Sequence, residues 1–373
     1  MQIEEIKAGK SKFPVRFVNG VFTAEDSITV GMIREACGVE KPRIMLVADA
    51  NVVARNQHLG THIGKYLQTN NIKLAAPPVL VTSGEKAKLP TATNIATITD
   101  VMENARIGKN DVMVAIGGGA LFDVASFAAV QFHPGIKTIR IPTSVAAFVD
   151  GAFAEEARLD LKATKDALRI SAPPAGVIID FAFVSTILDG VWKGGIGEVI
   201  RYAASCDSAL MKKIAKNAKA LHERQSPVGM ELIKAAVVSR AKTGGSDFAL
   251  WCAERLEEMS AFKLPHGYAV PIAVCIECAY SVHRHYLKPD DQETICRALA
   301  DCGALDGLDH NTELIANTAE LMKGLDNLKR INGSETRTLV SGVGKKTVEA
   351  EADRDAYAEV CEELSSVSSG VKE

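Results

Sequence analysis

Three consecutive glycines, Gly117, Gly118 and Gly119, follow the apolar run DVMVAI and lead into ALFDVASFAAV. A strand that ends in glycines and turns straight into a helix lets phosphate approach the backbone, and the first helical turn offers unpaired N–H groups to an anion. A tight strand-to-helix turn needs glycine for its own sake, so the triplet alone reads equally as a turn and as a dinucleotide site. A second spacing with chemical potential is Cys275-x-x-Cys278 in AVPIAVCIECAY. No second pair stands near it, and with Cys37, Cys206, Cys252, Cys296, Cys302 and Cys361 it reads as a set of reduced core thiols rather than a metal or redox site. His283 and His285, in SVHRHYL, alternate on an expected helix and read as surface residues.

The elements that must position these residues fall into two classes. Short β-rich apolar runs stand at 43–49, 77–83, 111–118, 137–144 and 175–180, separated by helical patterns such as 56–68 and 91–107, the latter stopped by Gly108. Continuous apolar runs of that length between helices predict a parallel sheet covered on both faces. Beyond about residue 184 the strand signals cease. Successive helical patterns follow at 195–206, 208–225, 230–242, 247–259, 269–287, 291–303, 311–330 and 353–364. The expected organisation is an α/β Rossmann-like domain over 1–183 and an all-helical domain over 184–373. At 373 residues, two cores are the default. A composition of 47% hydrophobic and 24% charged residues excludes disorder for most of the chain, and a net charge of -3 with interspersed signs argues against a nucleic-acid partner. The N-terminus lacks an apolar signal core and no run approaches the roughly 20 apolar residues of a membrane helix, so a cytoplasmic location without membrane contact is expected.

The order SGEKAKLP, DVMVAIGGGALFDVASFAAV, GIKTIRIPTSVAAFVD, APPAGVIID, GIGEVIRY, KAAVVS, DFALWCAERLE and LPHGYAV resembles dehydroquinate synthase and its sugar-phosphate cyclase relatives, over roughly residues 40 to 350. The resemblance implies the dehydroquinate synthase-like fold, NAD as cofactor, a small-molecule substrate and a homodimer. It implies NAD contacts by Gly84, Glu85, Lys86, Gly117, Gly118, Gly119, Asp123, Thr143 and Ser144. Asp150 would approach nicotinamide and substrate, and Lys165 matches one member of a lysine-asparagine pair whose asparagine is here Asp166.

The second half departs from the family. Its divalent metal, usually zinc, is held by a glutamate and two histidines. Glu198 and His266 match two of these, but the position sixteen residues before His266 is Leu250, which cannot ligate. Glu254, one helical turn after Leu250, could supply a replacement and give a Glu198, Glu254, His266 set; the plainer reading leaves His266 hydrogen-bonded to a neighbour and Glu254 solvated. Other replacements are Glu156 and Ala157 for a lysine and an asparagine, Pro134 for a phosphate-binding arginine, and Tyr268 for a glutamate. Each lost charge-assisted contact costs on the order of 1.5–3 kcal/mol of phosphate binding. Arg201 and Lys234 stand where the family has lysines.

These features predict an NAD-dependent dehydroquinate synthase-like enzyme, a cyclase, lyase or oxidoreductase, that acts on a small polyol, cyclitol or sugar-derived substrate. Its expected catalytic set is Asp150, Lys165, Glu198, Arg201, Lys234 and His266, with zinc doubtful because of Leu250. Two alternatives stay open: an inactive NAD-binding homologue serving as scaffold or regulator, and a sugar-phosphate cyclase with a rearranged pocket.

Overall fold

A computed structural model of the chain describes residues 5–82, 84–132, 136–162, 164–306 and 311–369. It divides into two compact units, Met1–Leu188 and Asp189–Glu373. The division falls just after the 3₁₀ turn Phe181–Thr186, which extends the first unit past the 183/184 boundary expected from sequence. Asp180 anchors that turn, accepting hydrogen bonds from the backbone N–H groups of Ala182, Gly20 and Val21.

In the first unit the strands are β1 (Glu5–Ala8), β2 (Phe13–Val18), β3 (Arg43–Asp49), β4 (Lys73–Leu74), β5 (Val79–Val81), β6 (Val112–Gly117), β7 (Lys137–Pro142), β8 (Glu156–Leu161), β9 (Thr164–Ser171) and β10 (Gly176–Asp180). Its helices are α1 (Ser27–Cys37), α2 (Ala50–Arg55), α3 (Leu59–Thr69), α4 (Asn94–Asn104), α5 (Gly119–Phe132) and α6 (Val145–Val149). The main sheet runs β1-β2-β10-β7-β6-β3-β4, with β5 also pairing β3. All its pairings are parallel except β1 with β2. The fully buried runs of β6 and β10 match the continuous apolar segments that a doubly covered parallel sheet requires. The β1–β2 ribbon and the antiparallel β8–β9 hairpin were not expected. Polar and apolar residues are mixed along both, so neither carries the continuous apolar signature of the parallel strands.

Inside this unit the buried Arg140 guanidinium donates to the carbonyls of Ala152, Ala154 and Ala172 at 3.4, 2.5 and 3.0 Å and to Ser126 Oγ at 3.0 Å. It ties β7 to the segment that follows α6. Burial pushes this guanidinium down to about 10.

The second unit contains α7 (Asp189–Cys206), α8 (Ser208–Lys216), α9 (Ala218–His222), α10 (Ser226–Thr243), α11 (Leu250–Met259), α12 (His266–His283), α13 (Pro289–Asp301), α14 (Thr312–Ala316), α15 (Thr318–Asn332) and α16 (Arg354–Ser369). It is largely helical but not all-helical, because β11 (Arg337–Gly342) and β12 (Lys345–Glu349) form an antiparallel hairpin. Two short β-branched runs separated by Gly342 and Gly344, both at positive φ, make this hairpin, and five- or six-residue strands are easily lost after a long helical pattern. Arg337 of β11 reaches into the core, where its guanidinium lies over the rings of Tyr280 and Tyr357, themselves stacked with centroids 3.8 Å apart. It also pairs with Glu349. No helix among the described residues is long and apolar enough to cross a membrane.

Candidate nucleotide site and candidate substrate site

Strand order places β5 on one side of β3 and β6 on the other, and the crevice at such a switch point is where doubly wound sheets take ligands. Asp49 closes β3, and its Oδ1 accepts from the N–H groups of Asn51 and Val52 at 2.8 and 3.1 Å. Gly117 closes β6 directly beside it, since a Cβ built on Gly117 would stand 3.2 Å from that of Asp49. Helix α5 starts two residues later, so its first N–H groups face the same end of the sheet. The β7–α6 turn forms the next wall. Thr143 N–H donates to Gly117 O at 3.0 Å, and Ser144 Oγ caps α6 by accepting from Ala147 N–H at 3.3 Å. Gly151 completes the cradle: a Cβ there would lie 2.9 Å from the Cα of Gly119, a contact only glycine allows, and it brings the preceding Asp150 beside the start of α5. Gly117, Gly118, Gly119, Thr143, Ser144 and Asp150 are thus gathered in one place.

The neighbouring cluster centres on a lysine that the sequence reading passed over. Gly84, at φ 86, opens the 3₁₀ turn Glu85–Lys88, and three residues per turn set Glu85 and Lys88 on one side. Lys86 is exposed. Lys88 is buried, with its Nζ 2.5 Å from Asp166, 3.3 Å from Asp123, 3.5 Å from Glu85 and 3.7 Å from Asp160. Lys165 Nζ lies 2.7 Å from Glu85 Oε2, and Arg158 N–H donates to Asp123 Oδ1 at 3.1 Å. Burial would discharge Lys88, but Glu85, Asp123, Asp166 and Asp160 outweigh it and hold the ammonium charged. Burial raises the Asp123 carboxyl to about 6 despite the opposing pull of Lys88. For Asp166 the upward push of burial is overcome by Lys88 and Lys165, and its carboxyl lies below the usual range. The carboxylate at 166 therefore pairs with Lys88, which an asparagine could only hydrogen-bond. Glu156, on β8, is exposed and 3.3 Å from Arg158. Pro134 lies outside the described residues.

In the second unit α7 and α12 cross at Gly194 and Gly267, where a Cβ on Gly194 would stand 2.6 Å from the Cα of Gly267. Backbone-to-backbone contact at this point fixes Glu198, one turn further along α7, relative to His266 at the first position of α12. Glu198 is 2% exposed. Its Oε1 accepts from Arg201 Nε at 2.8 Å and also from Nη2, while its Oε2 is buried with no hydrogen-bond partner among the described residues. Arg201 Nη1 donates to the carbonyls of Ser246 and Phe248 at 2.6 and 3.0 Å, which makes this side chain a brace between α7 and the segment before α11. His266 Nδ1 lies 2.7 Å from Oε1 of Glu257, a buried carboxylate that fixes the ring. Leu250 begins α11, with Glu254 half-buried one turn on, and Lys234 is half-buried on α10.

Among the described residues no group of three or more His, Cys, Asp or Glu side chains is placed to hold a metal ion. The Glu198, Glu254, His266 set is not assembled as such a group. Arg201 holds one oxygen of Glu198 and position 250 is apolar, so these residues do not complete a three-ligand divalent metal centre. The nucleotide cradle does fit a dinucleotide: a Cβ on Gly84 would meet nothing within 4 Å, and one on Gly118 only Ser144 Oγ at 3.8 Å. Asp49, Lys88 and Glu257 were missed in the sequence. The first two carry a signal, an aspartate at the end of an apolar run and a Glu85-x-x-Lys88 spacing; Glu257 is hidden in the charged run ERLEE.

The sequence model of the 3-dehydroquinate synthase N-terminal domain matches residues 78–193, and that of the 3-dehydroquinate synthase C-terminal domain matches residues 195–325. The chain is 26% identical over 296 residues to a 3-dehydroquinate synthase of Rhodopseudomonas palustris, covering 75% of this chain and 77% of that one. Over 175 residues, 46% of each chain, it is 32% identical to the 3-dehydroquinate synthase of Clostridium acetobutylicum. Among solved structures it is similar to 2-epi-5-epi-valiolone synthase of Streptomyces hygroscopicus with NAD+ and Zn2+ bound, at a TM-score of 0.81, 18% identity and coverage of 95% and 97%. A 2-deoxy-scyllo-inosose synthase complexed with carbaglucose-6-phosphate, NAD+ and Co2+ follows at 0.76, 17% identity and coverage of 97% and 99%. With two successive domain models matched in order, the chain belongs to the dehydroquinate synthase-like family of enzymes.

Proposed function

We propose that the chain is an NAD-dependent enzyme acting on a small polyol, cyclitol or sugar-derived substrate, with Glu198 Oε2 accepting a hydroxyl where the family places a metal. The observation that carries this reading is the buried oxygen of Glu198 that has no hydrogen-bond partner among the described residues, where no three-ligand metal set is formed among them. A buried acceptor left unpaired costs about 1–3 kcal/mol, which a donating ligand recovers. Gly117, Gly118, Gly119 and the first N–H groups of α5 would hold the pyrophosphate, with Thr143 and Ser144 on the adjoining wall. When bound, NAD supplies an acceptor for hydride from a carbinol carbon. Asp150, beside the start of α5, and Lys165, held by Glu85, are the groups suited to moving the hydroxyl proton. Glu257 fixes the tautomer and direction of His266.

The neighbours' Zn2+, Co2+ and carbaglucose-6-phosphate belong to those proteins. In this chain the exchange of a pocket lysine for Glu156 favours a neutral polyol over a phosphate ester. A homologue that binds NAD without turnover is the competing reading, favoured by the same unformed metal set. Calorimetric titration with NAD, elemental analysis, and NADH formation against cyclitols, sugar alcohols and a heptulose phosphate test both. NAD binding with turnover of an unphosphorylated polyol and no stoichiometric metal is expected. Zinc-dependent turnover of the heptulose phosphate overturns the proposal, and NAD binding without turnover of any compound supports the competing reading.

A further inference from the structure

In the second unit the buried Arg337 guanidinium pairs with Glu349 and donates through Nε to the Tyr357 hydroxyl at 3.0 Å. Glu349 is well supplied, since it also accepts from the hydroxyls of Tyr280 and Tyr286 at 2.8 and 3.2 Å and from Arg284 Nε at 3.3 Å. Glu277, on α12, is not. It is fully buried, its Oε1 accepts from the Tyr357 hydroxyl at 2.9 Å, and its Oε2 has no hydrogen-bond partner among the described residues. No cation among them hydrogen-bonds to Glu277, and the Tyr357 hydroxyl stands between it and Arg337. Its remaining titratable neighbours are the neutral thiols of Cys278 on its own helix, Cys252 on α11 and Cys361 on α16. Arg284 is matched by Asp353 at 2.6 Å, so the cluster of Glu277, Glu349 and Asp353 with Arg337 and Arg284 holds one carboxylate more than it has cations. A carboxylate buried without a cation stays neutral by keeping its proton.

We propose that Glu277 is a proton-operated clasp, which as a neutral acid holds α16 against α11 and α12 and, on losing its proton at alkaline pH, lets α16 open. Tyr357 is the part of α16 that the clasp grips. Its hydroxyl is on Glu277, its ring is stacked on Tyr280 of α12, and it stands edge-on to Trp251 of α11 with centroids 5.6 Å apart. Cys361, one turn further along α16, is fully buried. Ionised Glu277 places a charge among these groups with no cation in contact, and water reaches that charge once α16 lifts away. Burial, against the opposing pull of Arg337, raises the carboxyl from 4.5 to about 7. The closed state therefore gains its full advantage below pH 4.5 and loses it as pH rises through 7. The helices gripped, α11 and α12, are those that carry Glu257 and His266. A second titratable contact joins α12 to α16 at the surface, His283 Nε2 with Glu359 Oε2 at 2.9 Å, and Arg354 ties α16 to Asp326 and Glu335 at 2.7 and 2.9 Å.

The experiment measures hydrogen exchange of the full chain by mass spectrometry at about pH 6 and about pH 8, each corrected for the intrinsic rate at that pH. It follows α16 over 354–366, with α10 over 226–243 in the same unit as internal control. With the carboxyl at about 7 closed and 4.5 open, the opening equilibrium of α16 rises about tenfold across this interval, while that of α10 changes less than about twofold. Glu277→Gln keeps an acceptor for Tyr357 but cannot ionise, and it should remove the rise in α16. Glu359→Gln takes away the ionisable partner of His283 and should leave the rise in place. If the Glu277 variant does not fold, the wild type and Glu359→Gln decide. A rise of equal size in α10 overturns the clasp, because the whole unit is then unfolding. Exchange of α16 that follows the intrinsic rates alone, a rise that survives Glu277→Gln, or one that disappears in Glu359→Gln overturns it as well.

Discussion

Replacing Arg201 by methionine keeps most of the side-chain volume but strips its paired cation from Glu198 and removes the donor to two backbone carbonyls. Arg201 and Glu198 are 1% and 2% exposed, so the remaining carboxylate is an uncompensated buried charge. Breaking such a pair costs roughly 3–5 kcal/mol. The carbonyls of Ser246 and Phe248 lose their partner too, although local relaxation offsets part of that loss. For a unit spanning Asp189–Glu373, a loss of about 4 kcal/mol lowers Tm by roughly 8–16 °C. Scanning calorimetry of the full chain measures it. Glu198→Gln is the companion variant: its amide oxygen can still accept from Arg201, but the buried guanidinium loses its counter-charge, so a loss of roughly 3–5 kcal/mol is expected here too. In the double variant no charge is stranded, and its loss falls well below the sum of the two single losses. A methionine variant that loses less than about 1 kcal/mol, or losses that simply add, would refute the buried brace. A rise in KM without loss of stability would place Arg201 on the substrate instead.

Gly151→Ala drives a methyl against the Cα of Gly119, so overpacking should cost about 1–3 kcal/mol and NAD affinity should fall at least tenfold in calorimetric titration. Lys88→Met removes the central cation from Asp123, Asp160, Asp166 and Glu85, of which Glu85 keeps Lys165 and Asp166 keeps Arg158; a stability loss of roughly 3–5 kcal/mol is expected by urea titration, and Lys86→Met, at an exposed site, should change stability by less than about 0.5 kcal/mol. Burial raises the Glu277 carboxyl from 4.5 to about 7, so the folded chain holds that proton more tightly than the unfolded one. That stabilisation is full below pH 4.5 and is lost as pH rises through 7, at most about 3 kcal/mol; Glu277→Gln, which keeps an acceptor for Tyr357, should abolish this part of the pH dependence in denaturation curves between pH 5 and 8. Glu257→Gln should lower kcat on the polyol substrate more than it raises KM, because the carboxamide can hold either tautomer of His266.

The parallel sheet was legible because its strands announce themselves locally. β3 and β6 are unbroken apolar runs that end in Asp49 and in glycines, and a fully buried strand followed by a helix leaves few other readings. The glycine turn of the candidate nucleotide site was legible for the same reason, since its glycines sit in consecutive positions at one strand end. Short amphipathic elements were not: the β8–β9 and β11–β12 hairpins mix polar and apolar residues, and their pairing rewards them only after the chain has folded. Pairing between distant side chains was decided by tertiary structure alone. Lys88 and Lys86 are equivalent in composition, and only the 3₁₀ turn and the approach of Asp166, seventy-eight positions later, bury one and expose the other. The sequence showed that Leu250 broke a metal triad, yet not that Arg201 and Glu257 would engage its surviving members. Local periodicity fixes which residues are strand, helix and turn; the partners of a buried charge depend on which distant segments share its low-dielectric surroundings, and no spacing along the chain encodes that.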